Sequence, residues 1–215
     1  MKAGSKVKPG RPRSERRREE ILEAAARVFA AHGYADGDTQ VLADTLGVGK
    51  GTLYRYFPSK EALFLAAVDR LMRQLVGRVA DAVTPVADPL ERVGAAVRAF
   101  LGFCAERPEF VELLIQERAV FKDRKKPTFI EHREQNVERW RALYRGLIAA
   151  GRVRAIPVER ITDVLSDLLY GTIFTDYFAG RRDPPEVQAR NVLDVFFAGI
   201  LSDDERRRPG PEKSP

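Results

Sequence analysis

Leu42-Ala43-Asp44-Thr45-Leu46-Gly47-Val48-Gly49-Lys50-Gly51-Thr52-Leu53-Tyr54-Arg55-Tyr56-Phe57 is the stretch whose reading decides the fold. Its glycines and lysine first suggest a loop that cradles phosphate. A Walker loop, however, requires glycine where Asp44 stands and Ser or Thr where Gly51 stands, and a dinucleotide fingerprint requires glycine at Thr52. Both templates fail, and no strand pattern precedes the segment. Two short helices crossing at a tight turn fit better. Ala43 is small enough for close approach, Gly47 supplies a left-handed turn residue, and Leu53 returns an apolar side chain to a miniature core of Leu42, Leu46 and Val48. This is helix-turn-helix spacing.

With Leu53 and Phe57 turned inward, the second short helix leaves Lys50, Gly51, Thr52, Tyr54, Arg55 and Tyr56 facing outward in part. These groups suit a major groove: Lys and Arg for guanine edges or phosphate, Thr for a thymine methyl or phosphate, Tyr hydroxyls for phosphate oxygens. Glycine at 51 permits close backbone approach. The competing reading is that Tyr54 or Tyr56 merely plugs the domain core. Pro58 then stops the helix and Ser59 caps the next. Lys60, in the first turn of that helix, opposes the macrodipole by roughly 0.3 to 1 kcal/mol. A bound phosphate at the Ser59–Lys60 helix start would reverse the penalty, and a solvated lysine would simply bear it.

Helical periodicity continues through almost the whole of the 215 residues, and the alternation of half-buried strands is nowhere sustained. The fold class is all-α. Helices are predicted over 14–32 (stopped by Gly33), 39–46 (capped by Asp38), 50–57, 60–83, 90–106, 108–121, 128–150, 158–179 (stopped by Gly180) and 186–201. At 44% hydrophobic residues the chain can bury a substantial core. It has no apolar run of the roughly 18 to 20 residues that a membrane helix needs and no secretory start, so no membrane partner is predicted and the expected compartment is the cytoplasm. One cysteine, Cys104, and two histidines, His32 and His132, exclude an internal disulfide and a structural zinc site. No nucleophile elbow or paired-histidine helix is present, so neither an enzyme nor a cofactor or metal is expected.

Charge is unevenly placed. Residues 1–18 carry eight basic side chains against Glu15 alone, an excess larger than the +6 of the whole chain, so the remainder is slightly acidic. Such an arm suits a polyanion, because each neutralised phosphate releases counterions. A solvated tail is the alternative.

The run Ile21-Leu22-x-x-Ala25-x-x-x-Phe29-x-x-x-Gly33-Tyr34, then Leu42-Ala43-x-x-Leu46-Gly47-Val48-x-Lys50-Gly51-Thr52-Leu53-Tyr54-x-Tyr56-Phe57-x-Ser59-Lys60-x-x-Leu63, resembles the DNA-binding domain of the TetR family of bacterial repressors. The likeness covers about Arg16 to Val68. It implies nine helices: three reading DNA, a fourth linking the domains, and five forming a regulatory domain that binds ligand and dimerises through its last two long helices. Two positions depart from the family pattern. Asp38 replaces the usual Thr or Ser, capping well but repelling phosphate, so the contact is expected to pass to Thr39. Gly49 replaces a frequent Ser in the turn. Upstream, Gly10-Arg11-Pro12-Arg13 resembles the minor-groove core of an AT-hook, placing Arg11 and Arg13 among the DNA contacts. An unstructured tail with nonspecific phosphate contacts fits as well.

The implied organisation is a disordered basic arm at 1–13, the helix-turn-helix domain at 14–58, the regulatory domain at 59–202 and a disordered tail at 203–215. Aromatic residues concentrate beyond residue 99. Most are ordinary core, but Phe100, Phe103, Glu117, Asn136, Trp140, Tyr144 and Phe174 are candidates for an inducer pocket, apolar with a few orienting groups. The last two helices carry more apolar surface than one packed face needs. Leu165, Leu169, Gly171, Ile173, Val192, Phe196, Gly199 and Ile200 are the candidate dimer interface. The expected partners are double-stranded operator DNA, a second copy of the chain and a small-molecule inducer whose identity the sequence does not give. An activator or global regulator without small-molecule input is the alternative.

Overall fold

A computed structural model describes residues 13–181 and 183–198. Among them are nine helices and no strand: α1 (Arg13–Asp36), α2 (Thr39–Thr45), α3 (Lys50–Tyr56), α4 (Lys60–Val83), α5 (Pro89–Glu106), α6 (Pro108–Val120), α7 (Thr128–Ala149), α8 (Val158–Ala179) and α9 (Pro185–Ala198). The chain is all-α, as its periodicity implies. Residues 1–12 of the arm, Arg11 among them, lie outside the described residues, as do Gly199, Ile200 and the tail.

Helix limits follow local chemistry. α1 begins at Arg13, one residue inside the expected arm, and Glu15 in its first turn complements the helix dipole. Its regular geometry breaks at Gly33, the residue expected to stop it, with φ 77° and ψ 165°. α5 and α9 each open one residue earlier than expected, on Pro89 and Pro185. Proline suits a first helical position, where an N–H would have no partner. Gly180, at φ 63°, ends α8 in the left-handed conformation.

The described chain forms two compact units. The first joins the chain up to Gln74 with Pro108–His132, so it extends past residue 58 and takes in the first part of α4 and all of α6. Sequence spacing explains the extension, because Leu63, Phe64, Ala67, Val68 and Leu71 fall at three- and four-residue intervals and all are buried. On α1, Ile21, Leu22, Ala25, Ala26 and Phe29 form the facing stripe. Phe29 meets Phe64 edge-on at 5.2 Å and Tyr34 at 6.0 Å, and Tyr34 meets Phe121 at 5.1 Å. Arg70 on α4 joins two acids of α1, with Nε donating to Glu19 at 2.8 Å and a second nitrogen donating to Glu23 at 2.5 Å. α6 packs along α1, and the buried Gln116 side chain donates to the Phe29 carbonyl at 2.9 Å.

The second unit joins Leu75–Arg107 with the chain from Arg133 onward. Val93, Tyr144, Leu147 and Ile161 form a buried cluster, against which Leu90, Leu143, Leu165, Leu193 and Phe196 pack. α5 lies along α9, with Leu193 at ordinary contact distance from where a Cβ at Gly94 would stand. Cys104 is buried on α5, and loss of hydration pushes its thiol up to about 12. Among the described residues no helix is long and apolar enough to cross a membrane.

Two glycines test the backbone account. A Cβ at Gly33 would touch nothing within 4 Å, so any cost of Gly33→Ala comes from its positive φ alone. The expected loss is about 1 to 3 kcal/mol. Gly77 is an exposed position inside α4 with open space around its Cα, so Gly77→Ala is expected to stabilise by about 0.5 to 1 kcal/mol. Urea unfolding of both variants checks the pair; equal stability of the Gly33 variant and the parent would remove the strain.

Candidate nucleic-acid interface

The turn between α2 and α3 is built by backbone hydrogen bonds around one glycine. Val48 N donates to Ala43 O at 2.9 Å and Gly47 N to Asp44 O at 3.1 Å, with Gly47 at φ 62°. This doubly bonded ending satisfies the last carbonyls of α2 and turns the chain sharply into α3. Leu42, Ala43 and Leu53 are almost fully buried where the two helices meet. The far end of α3 is fixed to α1, because Phe57 is buried and the Arg18 guanidinium lies 5.1 Å from its ring centre. No sequence pattern had drawn attention to Arg18 in this role.

The rest of α3 faces outward. Lys50, Gly51, Tyr54 and Arg55 are exposed, while Thr52 and Tyr56 are half-buried. The outward set therefore lies as its spacing implies, and it contains no acid. A Cβ at Gly51 would meet nothing, so the helix surface is open to close approach there. Arg55 sits in the last turn of α3, where a cation is favoured, with its guanidinium 5.7 Å from the Tyr56 ring centre.

Two neighbouring side chains, Thr39 and Lys60, depart from the expected arrangement, and Asp38 caps as expected but also gains a partner. Thr39, expected to take over a phosphate contact, is 6% exposed, and its hydroxyl lies 3.3 Å from the Tyr54 hydroxyl. Its first-turn position on α2 points it inward, so it positions Tyr54 and does not reach outward itself. Lys60 donates from Nζ to Ala35 O at 2.8 Å and lies 5.0 Å from the Tyr34 ring centre. The electrostatic cost of a cation at the start of α4 is thus met within the protein, by a carbonyl near the end of α1. Asp38 caps α2 by accepting from Gln40 N at 2.7 Å, and the same oxygen lies 3.3 Å from Lys50 Nζ. The Gln40 N–H, and then Lys50, hold its carboxyl below the usual range. Ser59 does cap α4, with Oγ accepting from Ala62 N at 3.0 Å, whereas Gly49 opens α3 without any side-chain cap. Arg13 is exposed on the first turn of α1.

The expected pocket residues are divided between the two units. Glu117 belongs to the first unit, where Arg124 and the Thr128 backbone and hydroxyl converge on its buried Oε1. It anchors the connection between α6 and α7. Phe103 and Tyr144 are core side chains of the second unit, and the Tyr144 hydroxyl is buried without a hydrogen-bond partner. Phe174 stacks between Tyr170 and Phe178 along α8, at 4.4 and 6.3 Å. Phe100 and Asn136 are half-buried. Trp140 alone of the seven lines an open pocket of about 260 Å³ in the second unit, with Val83, Thr84, Arg92, Arg139 and Leu143.

The expected dimer residues divide. Ile173 is buried within its own unit, and Leu165 and Phe196 pack on the internal cluster, so the interior of one chain accounts for these three. Leu169 and Val192 are half-buried and Gly171 is exposed. Of the eleven large hydrophobics that stand exposed among the described residues, eight lie on α8 and α9: Val164, Leu168, Tyr170, Tyr177, Phe178, Val187, Val195 and Phe197. The apolar excess is real, but it faces one register over from several of the residues chosen for it.

Residues 21–67 match the model of bacterial regulatory proteins of the tetR family, and residues 86–199 match that of the tetracyclin repressor-like C-terminal domain. The chain belongs to the TetR family. It is therefore a DNA-binding transcriptional regulator and not an enzyme. The chain is 37% identical over 105 residues to the HTH-type transcriptional activator FasR of Mycolicibacterium smegmatis, a match spanning about half of each protein. It is 26% identical to the nucleoid occlusion factor SlmA of Aliivibrio fischeri over 87% of this chain and 95% of that one. The fold is shared with the regulator FadR of Bacillus subtilis, solved in complex with stearoyl-CoA, at a TM-score of 0.71 and 17% identity over 85% of this chain and 99% of that one.

The Asp38–Lys50 pair sets an expectation for this TetR-family interface. Asp38→Ser keeps a cap acceptor, removes one negative charge and frees Lys50. Affinity for DNA of any sequence should rise, and the slope of log K against log salt should steepen by up to about one phosphate contact, roughly 0.9. An unchanged slope would show that Lys50 does not meet the backbone.

Proposed function

We propose that the chain is a cytoplasmic homodimeric repressor that binds a palindromic operator and is released from it by a small apolar or amphipathic ligand. The concentration of exposed apolar side chains on α8 and α9 carries the reading. Leaving eight large hydrophobics on two adjacent helices in water is costly, and a second copy of the same face covers them with twofold symmetry. A twofold dimer presents two α3 helices, and two such helices read half-sites about 34 to 36 Å apart in successive major grooves.

In each half-site the exposed face of α3 supplies the contacts. Lys50 and Arg55 reach base edges or flanking phosphates, Thr52, Tyr54 and Tyr56 offer hydroxyls, and Gly51 lets the backbone close in. Arg11 and Arg13 extend the contact along the DNA beyond the helix-turn-helix. Lys60 holds the end of α1 in place beside the interface. Ligand release works through different affinities of the ligand for the DNA-bound and free states, and the stearoyl-CoA complex of FadR supports the capacity of this fold to carry a ligand. FasR is named as an activator, which favours a second reading in which the same DNA-bound dimer raises transcription.

Leu168→Glu tests the dimer without disturbing a monomer core, because Leu168 is 37% exposed. It should yield monomer in light scattering and weaken operator binding at least about a hundredfold, since each half-site contact is then made singly. Selection from random DNA with the parent should return an inverted repeat. A non-repeated motif bound equally well by the variant would overturn the dimeric reading. Reporter expression from the selected site, with the gene present and deleted, separates repression from activation.

A further inference from the structure

The pocket beside Trp140 combines charged and apolar walls. Two of its walls are arginines. Arg92 donates from Nε to Val86 O at 2.6 Å, which fixes the side chain while its two terminal nitrogens extend beyond that bond. Arg139 lies with its guanidinium 5.3 Å from the Trp140 ring centre. Neither has a carboxylate partner among the described residues. The acids nearest to them along the chain are engaged elsewhere: Glu138 by Arg145 at 2.5 Å, and Asp88 by Arg152. Glu91 acts electrostatically on Arg152. The pocket therefore keeps two cations without counter-charge, a strongly favourable arrangement for an incoming anion.

Its remaining walls are of the opposite kind. Val83, Leu143 and the indole of Trp140 are apolar, and Leu143 also packs on the buried cluster of Val93, Tyr144, Leu147 and Ile161. A guanidinium matches the oxygens of a carboxylate or a phosphate, often two at once. At about 260 Å³ the pocket is smaller than the roughly 300 to 1,000 Å³ of drug-sized sites, so it takes a headgroup and the first part of the body attached to it.

We infer that this pocket binds an anionic amphiphile, a carboxylate or phosphate on an apolar body, with Arg92 and Arg139 holding the head and Trp140, Leu143 and Val83 holding the adjoining apolar part. The inference names the ligand class for the ligand-responsive regulator proposed above and rests on that reading.

The chain contains a single tryptophan, so the fluorescence of the full-length protein reports on the pocket directly. Decanoate, decyl phosphate and decanol, titrated below their aggregation concentrations, share one tail and differ in the head. Both anions should give a saturable change at least about tenfold tighter than decanol. The tighter of the two identifies the head as carboxylate or phosphate. In Arg92→Gln/Arg139→Gln, folding as judged by circular dichroism, the advantage of the anions should fall to about twofold or less. Equal response to all three compounds, or an advantage that survives in the variant, overturns the site. If the variant fails to fold, the comparison of anions with alcohol in the parent still decides. Release of operator DNA is followed in parallel. Anion binding that depends on the arginines but leaves DNA bound keeps the site and sinks ligand release. Release of DNA without any change at Trp140 keeps ligand release and sinks the site.

Discussion

The first unit is assembled on Phe29. Its ring is buried against Phe64 of α4 and Tyr34, and Gly37 passes so close that a Cβ there would lie 2.7 Å from the ring. Its carbonyl receives the Gln116 side chain from α6. One residue thus fixes α1 against the long helix, against α6 and against the approach to α2. Emptying such a site costs about 3 to 5 kcal/mol in a typical core, a large share of the stability of an ordinary domain. Because α2 packs on α1, α3 packs on α2, and Phe57 at the end of α3 meets Arg18 of α1, the orientation of α3 depends on this packing.

The interface itself is a compromise between holding shape and presenting charge. Lys60 and Asp38 spend their charges inside the protein, on a carbonyl, a helix cap and Lys50, and these bonds give the helix-turn-helix its fixed outline. Arg55 and the tyrosines are left to face outward. A ligand-gated reading of the second unit has the same logic, in which most ion pairs are internally satisfied and Arg92 and Arg139 are the exceptions at the pocket.

Much of this was legible in the sequence because caps and stops are local. Asp38, Gly47, Ser59 and Gly180 act on residues within one turn of themselves, and the helices end at or beside them. The outward set on α3 was equally legible, since Leu53 and Phe57 fix which side of a short helix is buried. Long-range placement was not. Gln116 meets a carbonyl 87 residues away, and nothing in α6 distinguishes packing on α1 from packing on the regulatory core. Spacing alone therefore cannot reveal that Glu117 holds the loop between α6 and α7. Ile173 was read as interface because an apolar stripe does not say which of its edges a neighbouring helix of the same chain will cover. The pocket arginines are illegible in sequence for a related reason: their significance lies in Glu138 and Asp88 being taken by other arginines, a fact of geometry and not of spacing.

Cys104 narrows the covalent chemistry open to this regulator. With its thiol pushed up to about 12 by burial, the thiolate is scarce at neutral pH, and the sulfur is buried in α5. Oxidants, electrophiles and glutathione all react with thiolates that they can reach. The sole sulfhydryl of the chain meets neither condition, so stress chemistry has no covalent foothold at this residue. Under the proposed ligand release, a signal that enters without covalent change is reversible, and it fades as the concentration of the messenger falls.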